Sequence, residues 1–298
     1  MTGTVDTAET FRKALTLAEV PATVYDRAFT ATPQYVPWPK AYGGDMLAQA
    51  AAAAMATVDR DRALHSVHSS FLRPVDMHIE VRYEVELVRD GRGYSTRHVR
   101  GFQHGKAVVL TTASFQVPED GPRFAPQLPD VPGPDSLPRS ADVLAGVDGD
   151  DARYWSHGRS FDHRHVPGPL YLSVDGARVP HQAVWVRAFD RLDDDPHLHQ
   201  AAVVYVCDYT ILEPTLRVLG LHWADPKLFT ASLDNAIWFH APFATEVPGG
   251  ARADEWLLYA QEAAAIGGGR GLNTGRFFTA SGLLVATVAQ EGVIRHHT

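Results

Sequence analysis

Three short stretches of this chain occur twice, in the same order. Phe71–Pro74 (FLRP) is answered by Phe239–Pro242 (FHAP), and Gly91–Arg97 (GRGYSTR) by Gly269–Arg276 (GRGLNTGR). The turn and run from His104 (HGKAVVLTT) are answered from Ser281 (SGLLVATVA). The spacings agree to within a few residues and an insertion at Gly267–Gly268. Such a repeat restricts the chain to two copies of one unit, each burying its apolar face in the same way. Between them, Val117–Pro138 carries seven prolines. Proline supplies no ladder donor and breaks helix interiors, so an extended connection is expected there. The expected division is an N-terminal repeat over 1–117, a Pro-rich linker over 118–150 and a C-terminal repeat over 151–298.

Each copy has the same order of elements. In the first, Tyr42–Val58 (YGGDMLAQAAAAAMATV) reads as an Ala-rich helix opened by Gly43–Gly44, with Asp45 suited to its positive end. The runs LHSVHSSFLRP, IEVRYEVELVRD, YSTRHVRGFQH and KAVVLTTASFQV follow it, alternating or β-branched and broken by Asp-Gly and His-Gly turns. They read as antiparallel strands, giving an α+β unit with a sheet wrapped on a central helix. In the second copy the pattern of Ala201–Cys207 (AAVVYVC) suggests a strand, but the repeat register predicts a helix over 198–209.

Composition narrows the functional classes. A length of 298 residues, with 45% hydrophobic and 21% charged residues, suits a globular chain of two ordinary domains. The net charge of −8 argues against nucleic acid or an acidic membrane surface as partner. A single cysteine, Cys207, excludes an internal disulfide framework and a Cys-rich zinc site. No apolar run is long enough to span a bilayer, so no membrane insertion is expected. MTGTVDTAETFRKAL has no basic segment followed by an apolar one, and RHHT is not a Ser-Lys-Leu signal, so a cytoplasmic location is expected.

One carboxylate stands out. In His199–Leu212 (HQAAVVYVCDYTIL), Asp208 follows seven consecutive uncharged residues. A buried carboxylate is costly unless hydrogen-bonded, and its pKa moves. Either Asp208 escapes burial at an element's end or it is held there for chemistry.

The stretches YGGDMLAQA, LHSVHSSFLRP, HQAAVVYVCD, SLDNAIWFHAPF, EWLLY and VATVAQEGVIR resemble the acyl-CoA thioesterase II family. The resemblance spans nearly all of the chain except the N-terminal dozen residues and the linker. It implies a double hotdog, two tandem hotdog repeats, and hydrolysis of acyl-CoA to free acid and CoA. It also implies that Asp208, Ser232 and Gln290 hold the attacking water. Position 232 carries Ser where the family has Thr, so the hydroxyl survives but the methyl that fixes its rotamer is lost. The repeat gives a check independent of the family. It sets Leu64 opposite Ser232, Ala113 opposite Gln290 and the Ala50–Ala54 run opposite Asp208. All three polar residues therefore have apolar counterparts, as expected if one site of two were kept.

In this reading Asp208 is the general base, and Ser232 and Gln290 orient the water. Gly43 and Gly44 open the first helix without side chains and offer an oxyanion and substrate-binding end. The reciprocal combination of His199 with the alanine run would be inactive. No metal or organic cofactor is expected. Asp208 could also attack the thioester directly, but its hydroxyl and amide partners favour the water route. Two rivals stand beside this reading. A hotdog hydratase or dehydratase needs a His beside the carboxylate, and His199 lies about two and a half helical turns before Asp208. A non-catalytic acyl-CoA-binding protein would bind without turnover.

Other features read as structure. Cys207 is an inert core thiol. His65 and His68, three apart on a strand, are expected on opposite faces, and His163 with His165 on a loop or edge. His296–His297 reads as a tail, and Trp256 of EWLLY as packed inside a strand. Gly267–Gly271 (GGGRG) lacks a phosphate loop's ending and reads as a hairpin insertion, with Arg270 a possible contact for a CoA phosphate. Exposed sheet surface or edges favour a homo-oligomer.

Overall fold

The computed structural model describes residues 7–174, 176–243 and 249–297. The remaining residues, on which the readings of the two chain ends partly rest, lie outside that description. The helices are α1 (Thr7–Ala14), α2 (Gly43–Met55), the single turns α3 (Ser140–Val143) and α4 (Asp150–Arg153), α5 (Pro196–Val206) and α6 (Glu213–Leu219). The strands of the first half are β1 (Ala18–Val20), β2 (Arg27–Ala31), β3 (Ala63–Phe71), β4 (Val81–Asp90), β5 (Tyr94–Gln103) and β6 (Lys106–Gln116). Those of the second are β7 (Phe161–His165), β8 (His181–Ala188), β9 (Leu228–Ser232), β10 (Asp234–Phe239), β11 (Leu257–Gly267), β12 (Arg270–Thr279) and β13 (Leu284–His296). Among the described residues they form one antiparallel sheet in the order β1-β2-β4-β5-β6-β3-β10-β13-β12-β11-β8-β7, with β9 also paired to β13. β3 and β10 form the seam where the two halves join.

α2 packs on the strands of the first half and also on α5. Ala50, Ala51, Ala53 and Ala54 are fully buried, facing a layer that includes Val67, Val85, Val99 and Ala113. Small residues all round let the helix touch sheet and partner helix together. The second helix forms where the repeat register expects one, with shifted ends. Asp195 caps α5 by accepting the His197 N–H at 3.0 Å, which starts it at Pro196. It ends at Val206, so Asp208 lies in the turn beyond rather than on the helix. The β-branched Val203, Val204 and Val206 are tolerated inside it because burial outweighs their local preference.

The two helices run antiparallel and meet at the start of α2 and the end of α5. Tyr42 donates to the Tyr205 carbonyl at 2.8 Å and its ring stacks on Tyr209 at 4.4 Å. A Cβ on Gly44 would fall 2.2 Å from the Tyr205 carbonyl oxygen and 2.3 Å from the Tyr42 ring. This close approach is why glycine is needed at position 44.

Several expectations are corrected. Asp45 does lie in the first turn of α2, as expected, but it is buried there. It accepts from the Gln34 backbone and amide at 3.1 and 2.9 Å, and burial pushes its carboxyl up to about 7. A β-bulge between Leu64 and Ser66 breaks the alternation of β3. His65 thereby meets Ser114 and Tyr94 on the outer face, the face where His68 packs against Trp238. Trp256 precedes β11 and packs in a satellite cluster outside the main core, with Arg187 over its ring at 4.4 Å. His296 closes β13 and pairs with Asp225 at 3.0 Å instead of trailing as a tail. His163 and His165 lie on β7, at one end of the sheet order, both buried.

The Pro-rich stretch takes no place in the sheet, but it does more than connect. Leu128, Val131 and Leu137 cover Trp185, Leu258, Phe278 and Leu284, and the Trp185 indole donates to the Pro132 carbonyl at 2.9 Å.

Gly44→Ala is expected to destabilise the fold by about 2 kcal/mol or more, since backbone and a packed ring occupy the space. Gly121→Ala, which meets nothing within 4 Å, serves as control. Thermal unfolding of the two variants provides the measurement.

Candidate active site

The turn that follows α5 brings Asp208 up to the start of α2. One carboxylate oxygen, Oδ2, lies 2.6 Å from where a Gly43 Cβ would stand. A side chain at position 43 would therefore push the carboxylate out of this place. The other oxygen, Oδ1, accepts from the Ser232 hydroxyl at 2.9 Å and from the Gln290 amide at 2.5 Å. The same Gln290 nitrogen donates to the Ser232 oxygen at 3.0 Å. Asp208, Ser232, Gln290 and the Gly43–Gly44 end, five positions named from the sequence, therefore meet at one place.

Strand geometry explains why Ser232 and Gln290 converge. β9 and β10 lie along the same side of β13, separated by Leu233, whose N–H donates to the Glu291 carbonyl at 2.9 Å. Ser232 ends β9, pairing with Gly292, and Gln290 of β13 faces the interruption. Gln290 is fully buried, whereas Asp208, Ser232 and Gly43 retain partial exposure.

Burial pushes the Asp208 carboxyl up to about 6, against the opposing pull of Gln290, Ser232, the Lys40 cation and the Gly44 N–H. Desolvation wins over these donors. Lys40 was not singled out by sequence. It is half-buried, donates to the Thr230 carbonyl at 3.1 Å and lies over the Phe229 ring at 5.5 Å. A lysine two residues after a proline-flanked tryptophan gives no pattern that would reveal it. Asn235 was also missed. Its amide donates to Gln290 Oε1 at 2.7 Å.

Cys207 is buried, its thiol donates to the Val204 carbonyl at 3.1 Å, and burial pushes its pKa up, all unfavourable to a nucleophile. His199 Nδ1 accepts the Ala253 N–H at 3.1 Å, so its ring is engaged away from Asp208. Arg270 projects from the β11–β12 turn and pairs with Glu291 at 3.0 Å. Among the described residues no group of three His, Cys, Asp or Glu side chains could hold a metal ion, and no helix is long and apolar enough to cross a membrane.

Comparison with known proteins assigns the chain to a class. Residues 34–116 match the acyl-CoA thioesterase N-terminal domain and residues 126–294 the acyl-CoA thioesterase C-terminal domain. Human acyl-coenzyme A thioesterase 8 is 35% identical over 88% of this chain and 82% of its own. Acyl-CoA thioesterase 2 of Haemophilus influenzae is 31% identical, over 91% of this chain and 93% of its own. The crystal structure of an acyl-CoA thioesterase II, TesB2, from Mycobacterium marinum superposes with a TM-score of 0.74 at 34% identity, covering 97% of this chain and 98% of that one. A hot dog fold protein from Alicyclobacillus acidocaldarius superposes with a TM-score of 0.74 at 20% identity, which speaks for the fold alone. The class is that of hotdog-fold thioester hydrolases. Within it, the chain belongs to the acyl-CoA thioesterase II family.

Two outcomes follow from the electrostatics. If Asp208 acts as a base it must be ionised, so kcat/KM should rise with pH through about 6, and Lys40→Met should move that midpoint upward by removing a cation that favours the carboxylate. A pH–rate profile of each protein checks this. Because the folded-state pKa is raised, the carboxylate's relative stabilisation of the fold is present below the unfolded value and lost as pH rises through about 6. Asp208→Asn should therefore stabilise the fold by on the order of 1–3 kcal/mol at pH 8 and by less at pH 5, as read by urea unfolding.

Proposed function

We propose that this protein hydrolyses acyl-CoA thioesters to the free acid and CoA by activating water at Asp208. The observation that carries the reading is the convergence of one carboxylate, a hydroxyl and an amide on the glycine-opened end of α2. Asp208 Oδ1 is saturated by its two donors, so Oδ2 is the oxygen facing the Gly43–Gly44 end and the incoming water. The water oxygen bonds to the thioester carbonyl carbon while its proton passes to Asp208. Negative charge develops on the carbonyl oxygen, where the positive end of α2 opened by Gly43 and Gly44 would stabilise it, with the Gly44 N–H shared with Asp208. Collapse of the tetrahedral intermediate breaks the C–S bond, and the proton held by Asp208 goes to the departing CoA sulfur. Ser232 and Gln290 keep the carboxylate in one orientation through the cycle and set the direction of attack.

The reading extends to the chain as a whole. Residues 1–117 and 151–298 are two tandem hotdog repeats, and residues 118–150 link them. One repeat supplies the glycine end and the other the carboxylate, hydroxyl and amide. The protein works without membrane insertion, in the cytoplasm, as a homo-oligomer associated through its exposed sheet.

Release of free thiol from short-, medium- and long-chain acyl-CoAs tests the activity. Wild type should turn over, and Asp208→Asn should lose at least about 10²-fold in kcat while still binding acyl-CoA. Binding without turnover by the wild type would identify a carrier, and equal turnover by both proteins would move the site elsewhere. Ser232→Thr, which retains the hydroxyl and adds a methyl, should keep activity, whereas Ser232→Ala should lower kcat.

A further inference from the structure

We propose that Asn235 is a positioning residue that fixes which way the Gln290 side-chain amide points; this deepens the reading of Asp208 as the base and rests on it. A primary amide is nearly symmetric in shape but opposite in chemistry at its two ends, so something must choose its orientation. At Gln290 the nitrogen serves Asp208 and Ser232, and the oxygen must then find a donor inside the protein. Asn235 is that donor, at 2.7 Å. Both residues are buried, at 2% and 0% exposure, so water cannot replace either partner. A reversed Gln290 would set its NH2 against the Asn235 NH2 and its oxygen against the Asp208 carboxylate.

Asn235 is in turn oriented from the helix. The Cys207 thiol donates to the Val204 carbonyl at 3.1 Å, which leaves the sulfur lone pairs free. Asn235 Nδ2 donates to that sulfur at 3.5 Å. The direction of donation is thus handed from a backbone carbonyl of α5 through Cys207 and Asn235 to Gln290, and so to the base.

The internal repeat supplies an independent argument. The register that pairs Phe71 with Phe239 sets Val67 opposite Asn235, and the turn register sets Ala113 opposite Gln290. In the first half Val67 and Ala113 are direct cross-strand neighbours on β3 and β6, both buried. In the second half the corresponding positions hold a hydrogen-bonded amide pair. Asn235 therefore joins Ser232 and Gln290 as a polar residue whose register counterpart in the first half is apolar.

The test compares Asn235→Leu, close in volume but without a donor, with Gln290→Leu, the double variant and Asp208→Asn. Asn235→Leu should lower kcat roughly tenfold with KM little changed, and should raise the acid midpoint of kcat/KM because Asp208 loses a donor that favours its ionised form. In the Gln290→Leu background the same substitution should change nothing further. An unshifted pH profile in Asn235→Leu, with Asp208→Asn inactive, would overturn the Asn235 proposal alone. Losses that multiply in the double variant would do the same. Full activity in Asp208→Asn would instead overturn the reading of the base. If Asn235→Leu does not fold, Asn235→Ala carries the same expectations.

Discussion

The contact on which this structure depends is the bare backbone of Gly44 against the Tyr205 carbonyl. It joins the positive end of one central helix to the negative end of the other at a separation that no side chain allows. The Tyr42 hydroxyl bonded to the same carbonyl and the Tyr42–Tyr209 stack hold the junction in place. The turn after α5 then has a single place to go, and its carboxylate arrives beside Gly43. Everything chemical at the site follows from bringing these two helix ends together.

The carboxylate is left in a poised state by opposed effects of similar size. Desolvation disfavours its charge, while a hydroxyl, an amide, a nearby lysine and a backbone N–H favour it. With desolvation ahead by a modest margin, the group remains ionised at neutral pH and is more basic than an exposed aspartate. Asp45 shows what fewer favourable partners give. It is buried, accepts from the Gln34 backbone and amide, and is pushed higher, to about 7.

The first central helix was legible in its composition, the second only through the repeat register, and the candidate site residues through the resemblance of their motifs to a known family. Asp208, Ser232 and Gln290 could be read from the resemblance of their motifs to a thioesterase family, with Ser232 and Gln290 also polar where the repeat register sets Leu64 and Ala113. The register of Asp208 against the Ala50–Ala54 run fails, because Asp208 lies two residues beyond α5 and that run lies inside α2. The same comparison applied one turn of the ladder further along would have found Asn235 opposite Val67. What stayed hidden was whatever depends on irregular backbone. The bulge in β3 turned His65 to the outer face, and the early end of α5 moved Asp208 into a turn. Lys40 and Asp45 were illegible for another reason, since burial by distant segments sets their roles. The proline-rich stretch showed its lack of regular structure but not the apolar surface it covers.

The Val67–Ala113 pair has an evolutionary consequence. Restoring an amide at position 113 alone would bury a group with no donor for its oxygen, at a cost of about 1–3 kcal/mol. Placing Asn at position 67 alone would strand a donor in the same apolar layer. Each single step back toward a second carboxylate-bearing half is thus selected against before any activity could reward it. The apolar pair thus makes the difference between the halves hard to reverse by single substitutions, which leaves the first half in the part of structural partner.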